Sequence, residues 1–438
     1  MQNSLNLEGI TEMPANQSVP TKPLIIDSRV YMGACDKYFY ALSLTDGSII
    51  WSYLTEGIIM SSAIMHNDII YFGAGNHLYA LSKEGEFLWK FRTGGIILGS
   101  AAINDNVLYF GSSDNYMYAL SLKTKEILWK FRTGAEIVSD PLIENERIYF
   151  GSQDYYVYCI DLKGNVLWKF RANGAIMTGS VAVTKDRIFF ASADQNLYAL
   201  RKKDGSFCWG FRTGDMVFNN PSILDSWVCI GSRDRYFYVL DQTTGALQWK
   251  FRGNDEIDWL PELYNNMIIL SSDKVYALDK YGNTVWSFPM PPFYIACEIT
   301  AKNNIVVFGA ADGYIRGISA KDGTLIWKFK TKSNAPPRFS ELMPPPNWDS
   351  NLFNKYEVFD QLERLNELEN FNPYTFTTKD IETQNQKKYF AGEEILNIYE
   401  LANNPIPYAD KATTDAKRKR KEIEDVLLGR KDDAKRYC

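Results

Sequence analysis

Eight tryptophans recur along this chain at a nearly constant interval, and this spacing constrains the fold more than any other feature. They lie 37 to 41 residues apart. Each ends a short apolar run that follows a turn, as in Asp-Gly-Ser-Ile-Ile-Trp at 46–51 and Asp-Gly-Thr-Leu-Ile-Trp at 322–327. The eight are Trp51, Trp89, Trp129, Trp168, Trp209, Trp249, Trp286 and Trp327. A regular period of this length indicates one supersecondary unit that is copied along the chain.

One repeat, residues 98–135, shows what the unit is. Strands are predicted at 98–103, 107–111, 116–122 and 126–132, with turn residues between them. Four short strands joined by tight turns form one antiparallel blade. Eight blades closed in a ring hide the sheet edges that a single blade would expose. The sequence therefore predicts an all-β protein, an eight-bladed β-propeller of four-stranded antiparallel blades. The first blade has four strands of its own, so closure does not require a shared strand.

The repeat divides the chain into four parts. Residues 1–20 form an N-terminal lead, 21–332 the propeller, 333–352 a Pro-rich linker and 353–438 a C-terminal extension that is predicted to be mainly helical. Two amphipathic segments in the extension carry apolar stripes that include Leu362 and Leu365, and Ile395 and Tyr399. Helices of this kind bind by laying the stripe in a partner's groove. They could instead wrap the propeller's own surface.

Composition excludes several classes of function. The net charge of −5 and the pI of 5.4 do not favour nucleic-acid binding. The chain has two histidines, and its six cysteines include no adjacent pair and no Cys-x-x-Cys, so we expect buried thiols and neither a metal nor a cofactor. There is no signal-peptide pattern and no apolar run long enough to span a membrane, which predicts a cytoplasmic protein. A periplasmic location is the alternative if the N-terminus is processed.

Further phrases recur within the repeat. The second strand leads into Tyr-Met-Gly-Ala-Cys-Asp at 31–36, Tyr-Phe-Gly-Ser-Ser-Asp at 109–114 and Cys-Ile-Gly-Ser-Arg-Asp at 229–234. The third strand carries Tyr-Ala-Leu at 79–81, 118–120 and 198–200. Together with the tryptophans, these phrases resemble the PQQ-binding-like β-propeller repeat of quinoprotein dehydrogenases and of the BamB-type outer-membrane assembly lipoprotein. The resemblance covers about three quarters of the chain. It implies that each tryptophan docks on the neighbouring blade near the turn glycine.

The resemblance also frames the choice between enzyme and non-enzyme. Family enzymes hold the quinone with stacking aromatics and calcium, and many place a disulfide of adjacent cysteines beside it. This chain has no adjacent cysteines, no haem motif and no long insertions in its repeats. We therefore predict a protein that is not an enzyme. The alternatives are a PQQ-dependent or other ligand-binding quinoprotein-like enzyme, and a BamB-like outer-membrane assembly factor.

One basic position recurs after the tryptophans. The phrase Trp-Lys-Phe-Arg, or a close variant, places arginines at one equivalent position in five successive blades: Arg92, Arg132, Arg171, Arg212 and Arg252. Propeller symmetry would arrange them in an arc that could hold an acidic partner. Alternatively, each arginine pairs with a recurring turn aspartate, such as Asp114, Asp154, Asp194 or Asp234.

An acidic stretch interrupts the repeat at 254–262. Asp255, Glu256, Asp258 and Trp259 stand where other repeats have small, neutral residues, as at 174–180. They are expected near the innermost strand of the seventh blade. Such residues could bind a cation or a partner loop, or they could balance nearby arginines. We predict a non-catalytic scaffold that mediates protein-protein interaction within a larger assembly, through the propeller face and the tail. The sequence gives no strong indication of a homo-oligomer.

Overall fold

A computed structural model describes residues 18–176, 179–290 and 295–332, and β-strands make up the regular structure of these residues. The strands form eight antiparallel sheets, each built from four consecutive strands. The predicted eight-bladed propeller is confirmed, and blade one has four strands of its own. The linker at 333–352, the extension at 353–438 and most of the lead lie outside the described residues.

The blades follow one another along the chain. Blades one to four comprise β1 (Leu24–Ile26), β2 (Arg29–Gly33), β3 (Tyr38–Ser43), β4 (Ile49–Leu54), β5 (Ile64–His66), β6 (Ile69–Ala74), β7 (His77–Ser82), β8 (Phe87–Arg92), β9 (Ala102–Asn104), β10 (Val107–Ser112), β11 (Tyr116–Ser121), β12 (Ile127–Arg132), β13 (Leu142–Glu144), β14 (Arg147–Gly151), β15 (Tyr156–Asp161) and β16 (Val166–Arg171). Blades five to eight comprise β17 (Ala182–Val183), β18 (Arg187–Ala191), β19 (Asn196–Arg201), β20 (Phe207–Arg212), β21 (Ser222–Leu224), β22 (Trp227–Gly231), β23 (Tyr236–Asp241), β24 (Leu247–Arg252), β25 (Glu262–Tyr264), β26 (Met267–Ser271), β27 (Lys274–Leu278), β28 (Thr284–Pro289), β29 (Thr300–Lys302), β30 (Ile305–Gly309), β31 (Tyr314–Ser319) and β32 (Leu325–Lys330).

Burial changes across each blade. In β10 and β11 the central residues are all buried, whereas β12 alternates between exposed and half-buried positions. The two middle strands are covered on both faces by the adjacent blades, so they are almost continuously apolar. The fourth strand lies at the rim with one face in water, so it keeps the alternating pattern. The core of the protein therefore lies between blades.

The first hairpin of several blades turns on paired polar residues. Asn67 and Asp68 have φ values of 52° and 58°, and Asn265 and Asn266 have 49° and 61°. Two consecutive left-handed residues are typical of the tight turn that matches the twist of antiparallel strands, and asparagine and aspartate tolerate that conformation.

Each tryptophan docks on the next blade, as the family resemblance implies. The indole Nε1 of Trp51 donates to the carbonyl of Lys83 at 3.1 Å. Gly85 lies over the same ring with φ at 90°, and a Cβ added there would come within 2.6 Å of the indole. A glycine covers the tryptophan in the same way at Gly47, Gly85, Gly164, Gly205, Gly245, Gly282 and Gly323. Trp89 instead lies beneath the Lys125 ammonium, 5.1 Å from the ring centroid.

The ring is closed by residues from both ends of the described chain. In most seams a buried isoleucine from the connecting loop fills the space above a second-strand glycine, as Ile97 does at Gly73. At the last seam Val19, from the end of the lead, takes this place at Gly309 and is fully buried. Its backbone N–H donates to Ala310 at 3.3 Å. The lead thus supplies the wedge that the eighth blade lacks.

Candidate partner-binding face

Two faces of the propeller differ in what they carry. We call loop face the side formed by the turns between second and third strands and by the connections from each fourth strand to the next blade. We call hairpin face the opposite side, formed by the turns between first and second and between third and fourth strands. This assignment follows from the antiparallel order of every blade. The recurring arginines and the acidic stretch both belong to the loop face.

The arginines occupy one structural position, as the repeat predicts. Each is the last residue of a fourth strand: β8, β12, β16, β20 and β24 end at Arg92, Arg132, Arg171, Arg212 and Arg252. Arg132 lies directly opposite Tyr116, and Arg252 opposite Tyr236. The side chains of Arg92, Arg132 and Arg252 are exposed. Arg212 donates from Nη2 to the side-chain oxygen of Gln195 at 2.8 Å.

Three of the turn aspartates, Asp114, Asp154 and Asp234, bind a tyrosine hydroxyl and a backbone N–H. The Asp114 carboxylate accepts the Tyr118 hydroxyl at 2.5 Å and the Gly94 N–H at 2.8 Å. The same clasp recurs where Asp154 accepts from Tyr158 and Gly134, and where Asp234 accepts from Tyr238 and Gly214. Burial, followed by the bond to Asp114, raises the pKa of Tyr118.

These clasps decide between the two interpretations of the aspartates. Among the described residues, Arg92, Arg132 and Arg252 form no ion pair with a turn aspartate, so the proposed pairing is wrong for these three. The aspartate faces a tyrosine of its own blade and a backbone N–H of the connecting loop, and together they satisfy it. Asp114, Asp154 and Asp234 are therefore structural residues that join each blade to the loop from the preceding blade.

Lysines add to the positive charge beside the arginines. Lys130 lies 4.7 Å from the centroid of the Tyr116 ring, and Lys250 lies 4.1 Å from that of Tyr236. Lys169 covers Tyr156 in the same way at 4.5 Å. A cation over an aromatic face is held by the ring's electron density. The signal for these lysines was present in Trp-Lys-Phe, but sequence reasoning gave weight only to the arginine that follows.

The acidic stretch folds around a different arginine, Arg233. Its guanidinium donates to both carboxylate oxygens of Asp258 at 3.2 Å and lies 3.3 Å from Glu256. It also stacks over the Phe218 ring at 4.3 Å from the centroid. Burial, followed by the negative charge of Asp258, raises the pKa of Glu256. Glu256 and Asp258 therefore balance Arg233, an arginine that the sequence analysis did not single out.

The remaining residues of the stretch position the inner strand. The acidic stretch leads into β25, the innermost strand of blade seven, as predicted. The Trp259 indole donates to the Ile295 carbonyl at 2.7 Å, and the Asp255 N–H donates to the Ser272 hydroxyl at 3.0 Å. Asp255 keeps an exposed side chain. Trp259 therefore forms a hydrogen bond that connects blade seven to blade eight.

A second charged group lies where the inner strands approach the axis. Lys22 and Glu298, from blades one and eight, form an ion pair at 2.9 Å. The Asp140 carboxylate of blade four accepts a hydrogen bond from the Ser100 N–H at 2.6 Å. It also interacts electrostatically with Glu298 and Lys22. Burial, with a further contribution from Glu298, raises the pKa of Asp140 to about 6. This arrangement differs from the stacked aromatics and calcium ligands that the resemblance implies for the enzymes of the family.

Other predicted features have separate outcomes. Leu362, Leu365, Ile395 and Tyr399 lie outside the described residues. Within 18–176, 179–290 and 295–332, no three histidine, cysteine or acidic side chains are grouped so that they could hold a metal ion. Cys35, Cys159, Cys229 and Cys297 are buried free thiols, as expected, while Cys208 is half-buried. Nor does the part of the chain that the structure describes contain a helix long and apolar enough to cross a membrane.

Comparison with known proteins agrees with this geometry. The crystal structure of the computationally designed Ika8 protein superposes with a TM-score of 0.62 at 17% identity, covering 69% of this chain and 96% of that one. The crystal structure of BamB from Moraxella catarrhalis superposes with a TM-score of 0.57 at 15% identity, covering 69% and 94%. Both likenesses show the fold alone. No curated protein matches this sequence.

The family assignment comes from the sequence repeat itself. A family model described as "Outer membrane protein assembly factor BamB" matches residues 11–95, 74–210, 153–258 and 233–344. These segments overlap and together span the whole propeller, so the family model matches more than half of the chain. The chain belongs to the family of PQQ-like, BamB-like β-propellers.

Proposed function

We propose that this protein is a non-catalytic scaffold whose loop face binds an acidic segment of a partner protein within a larger assembly. The observation that carries the proposal is the row of fourth-strand arginines. The turn aspartates that might have neutralised Arg92, Arg132 and Arg252 are already bound by tyrosines and backbone N–H groups. Exposed guanidinium groups at equivalent positions favour carboxylates by charge-assisted, bidentate hydrogen bonds.

The neighbouring side chains support the same partner chemistry. Lys130 and Lys250 lie beside Arg132 and Arg252, one on each of two fourth strands. The intervening tyrosine rings orient these lysines and leave the ammonium groups at the rim. Charged groups that are preorganised in this way steer an acidic partner and fix its register. Binding should accordingly weaken as salt concentration rises.

The test compares two charge-reversed versions of the full-length protein. One carries Arg92→Glu, Arg132→Glu and Arg252→Glu on the loop face. The matched control carries Lys123→Glu, Lys163→Glu and Lys321→Glu in exposed turns of the hairpin face. Proteins that co-purify with the wild type from its native source should be lost from the first and retained by the second. Recovery of the same proteins with the arginine variant would overturn the proposal.

The absence of catalysis is part of this proposal and has its own test. Purified protein is mixed with PQQ and calcium, and both cofactor absorbance and dye reduction are followed. We expect neither retained absorbance nor dye reduction. Stoichiometric retention of PQQ with turnover would replace the scaffold with a quinoprotein enzyme.

We also propose a cytoplasmic location. The buried thiols of Cys35, Cys159, Cys229 and Cys297 support it, since these four are free and disulfides are rare in reducing compartments. Fractionation of cells that express the untagged full-length protein tests the location. Recovery from the periplasmic or membrane fraction would favour the role named by the family's description, assembly at the outer membrane.

A further inference from the structure

A strongly basic pocket lies on the hairpin face, between blades four and five. Its volume is about 550 Å³, which is within the range of small-molecule sites. Six of its nine lining residues are basic, and Asp186 is the acidic residue among them. The six are Arg147, Lys185, Arg187, Arg201, Lys202 and Lys203. Neither the arginine row nor the acidic stretch of the loop face contributes to this pocket.

The repeat explains two of the six cations. Arg147 and Arg187 begin the second strands of blades four and five. Arg147 donates from Nη1 to the Lys202 carbonyl at 2.9 Å, and Arg187 does the same to the Gln242 carbonyl at 3.2 Å. The same two carbonyls also accept the indole hydrogen bonds of Trp168 and Trp209. Each arginine thus joins two blades through one nitrogen and has other N–H donors on the same planar group.

A third cation is neutralised within the fold. Lys202 is only 8% exposed, forms an ion pair with Glu144 and donates to the Thr184 carbonyl at 3.1 Å. Buried lysines require such partners. Lys185, Arg201 and Lys203 are different, because they are exposed. The excess positive charge of the pocket therefore comes from these three side chains and from the two blade-joining arginines.

One pair of these residues departs from the repeat in an unfavourable way. Arg187 and Arg201 lie directly opposite each other on the adjacent strands β18 and β19. The matching pairs are Arg147 with Asp161 in blade four, and Arg29 with Ser43 in blade one. Like charges placed directly opposite destabilise a strand pair. Blade five thus accepts a repulsion that blades one and four avoid, and a bound anion would offset it.

We propose that this pocket binds a small soluble anion that carries clustered phosphate groups. Guanidinium forks bind phosphate oxygens in pairs, and ammonium groups add compact positive charge. Aromatic side chains on which a nucleobase could stack are missing from the lining, so the phosphates are the recognised groups. The site does not depend on the proposed partner, because it lies on the opposite face.

Titration calorimetry with inorganic tripolyphosphate tests the proposal on the full-length protein, at an ionic strength of about 0.15 M to suppress non-specific binding. We expect saturable binding to the wild type. Affinity should fall about tenfold or more in the Arg201→Ser, Lys203→Ala double variant, as charge-assisted bonds are lost. The matched control, Lys123→Ala with Lys163→Ala, removes two exposed lysines from the same type of turn in blades three and four and should bind like the wild type. Absent saturable binding to the wild type, or equal affinity in the double variant, would refute the site.

Thermal denaturation provides an independent readout. Arg201→Ser installs the residue that blades one, three and eight carry opposite the second strand. Without ligand, this variant should melt at a higher temperature than the wild type, because the repulsion from Arg187 is relieved. With tripolyphosphate, the wild type should gain more in melting temperature than the variant. A lower melting temperature of ligand-free Arg201→Ser would show that Arg201 supports the fold and would refute the argument from repulsion.

A lipid headgroup could present the same phosphate chemistry. Flotation with vesicles that contain a phosphorylated phosphoinositide distinguishes this source from a free anion. We expect tripolyphosphate to bind in solution, and to compete away any vesicle binding. Binding to vesicles without binding to free tripolyphosphate would exclude a soluble ligand.

Discussion

The indole of Trp327, in the last blade, donates a 2.7 Å hydrogen bond to the carbonyl of Leu44, in the first blade. The same type of hydrogen bond joins the first two blades, where the Trp51 indole donates to the Lys83 carbonyl. The Thr300 hydroxyl donates to the Pro23 carbonyl at 2.9 Å across the same seam. Closure therefore uses the indole hydrogen bond that joins other pairs of blades, and Val19 takes the place of the isoleucine wedge.

The wedge makes Gly309 intolerant of a side chain. A Cβ at this position would lie 2.4 Å from the Val19 carbonyl oxygen and 2.6 Å from its Cβ. Gly309→Ala should therefore lower the free energy of unfolding by about 1–3 kcal/mol, the usual cost of overpacking. Urea denaturation measures this change in the free energy of unfolding. Gly210→Ala is the control, since the nearest atoms there are 3.6 Å away and its stability should hardly change.

Two tryptophans allow the indole hydrogen bond to be measured by comparison. Trp168 Nε1 donates to the Lys202 carbonyl at 3.2 Å. Trp249 Nε1 is buried with no acceptor among the described residues. Trp168→Phe should thus destabilise the protein by about 0.5–1.5 kcal/mol more than Trp249→Phe, the net contribution of one hydrogen bond. Equal losses in denaturant titrations would show that ring packing alone matters.

Asp140 should make stability depend on pH. Its folded pKa of about 6 exceeds the ordinary 3.8, so the folded protein binds the proton more tightly than the unfolded chain. Folding therefore favours the protonated carboxyl. The stabilisation that this group contributes to the free energy of unfolding is fully present below about pH 4 and is lost as the pH rises to about 6. Asp140→Asn should remove this loss and stabilise the protein at pH 7 by about 1–3 kcal/mol.

Urea denaturation between pH 4 and pH 7.5 checks the prediction for Asp140. The difference between wild type and Asp140→Asn should grow with pH and level off above the folded pKa. Asp225→Asn, in an exposed hairpin turn, is measured in parallel as the control for the substitution itself. A difference that shrinks as pH rises would reverse the sign and contradict the burial of a charged Asp140.

The Arg233–Asp258 pair should contribute measurably to stability. Both side chains are partly exposed, at 38% and 24%, and the contact uses both carboxylate oxygens. A double-mutant cycle with Arg233→Ala and Asp258→Ala should give a coupling energy of about 0.5–1 kcal/mol. The exposed Lys83–Asp68 pair, with Asp68 71% exposed, should give less. Coupling that does not fall with added salt would argue against an ionic origin.

The fold was predictable because its determinants repeat. The tryptophans, the turn glycines and the turn aspartates each recur at one position per blade, so their spacing alone indicates the blade and the ring. The repeat pattern does not identify Val19, because this residue stands in the lead and shares only its apolar character with Ile97 and the other wedges. Its role depends on a contact with Gly309 at the far end of the propeller, which no local pattern reveals.

The candidate site was predictable in position but not in pairing. The arginines and the acidic stretch lie where the repeat places them. For Arg92, Arg132 and Arg252 the pairing with a turn aspartate is wrong, because a tyrosine four residues after the aspartate, such as Tyr118 after Asp114, binds the carboxylate. Arg233 could have been found, since it precedes Asp234 where other blades have Ser113, Gln153 or Ala193. The basic pocket required the register of β18 and β19, which sequence spacing alone does not give.

Closure by distant residues has a consequence for biosynthesis. As the chain leaves the ribosome, Val19, Tyr40 and Leu44 emerge long before their respective partners Gly309, Lys332 and Trp327. Until then one side of blade one remains open, and its buried apolar residues face water. Contacts between residues so far apart in sequence form slowly, and unpaired blade surfaces are prone to aggregate in the interval. A nascent propeller of this design therefore gains most from protection during the synthesis of its final blade.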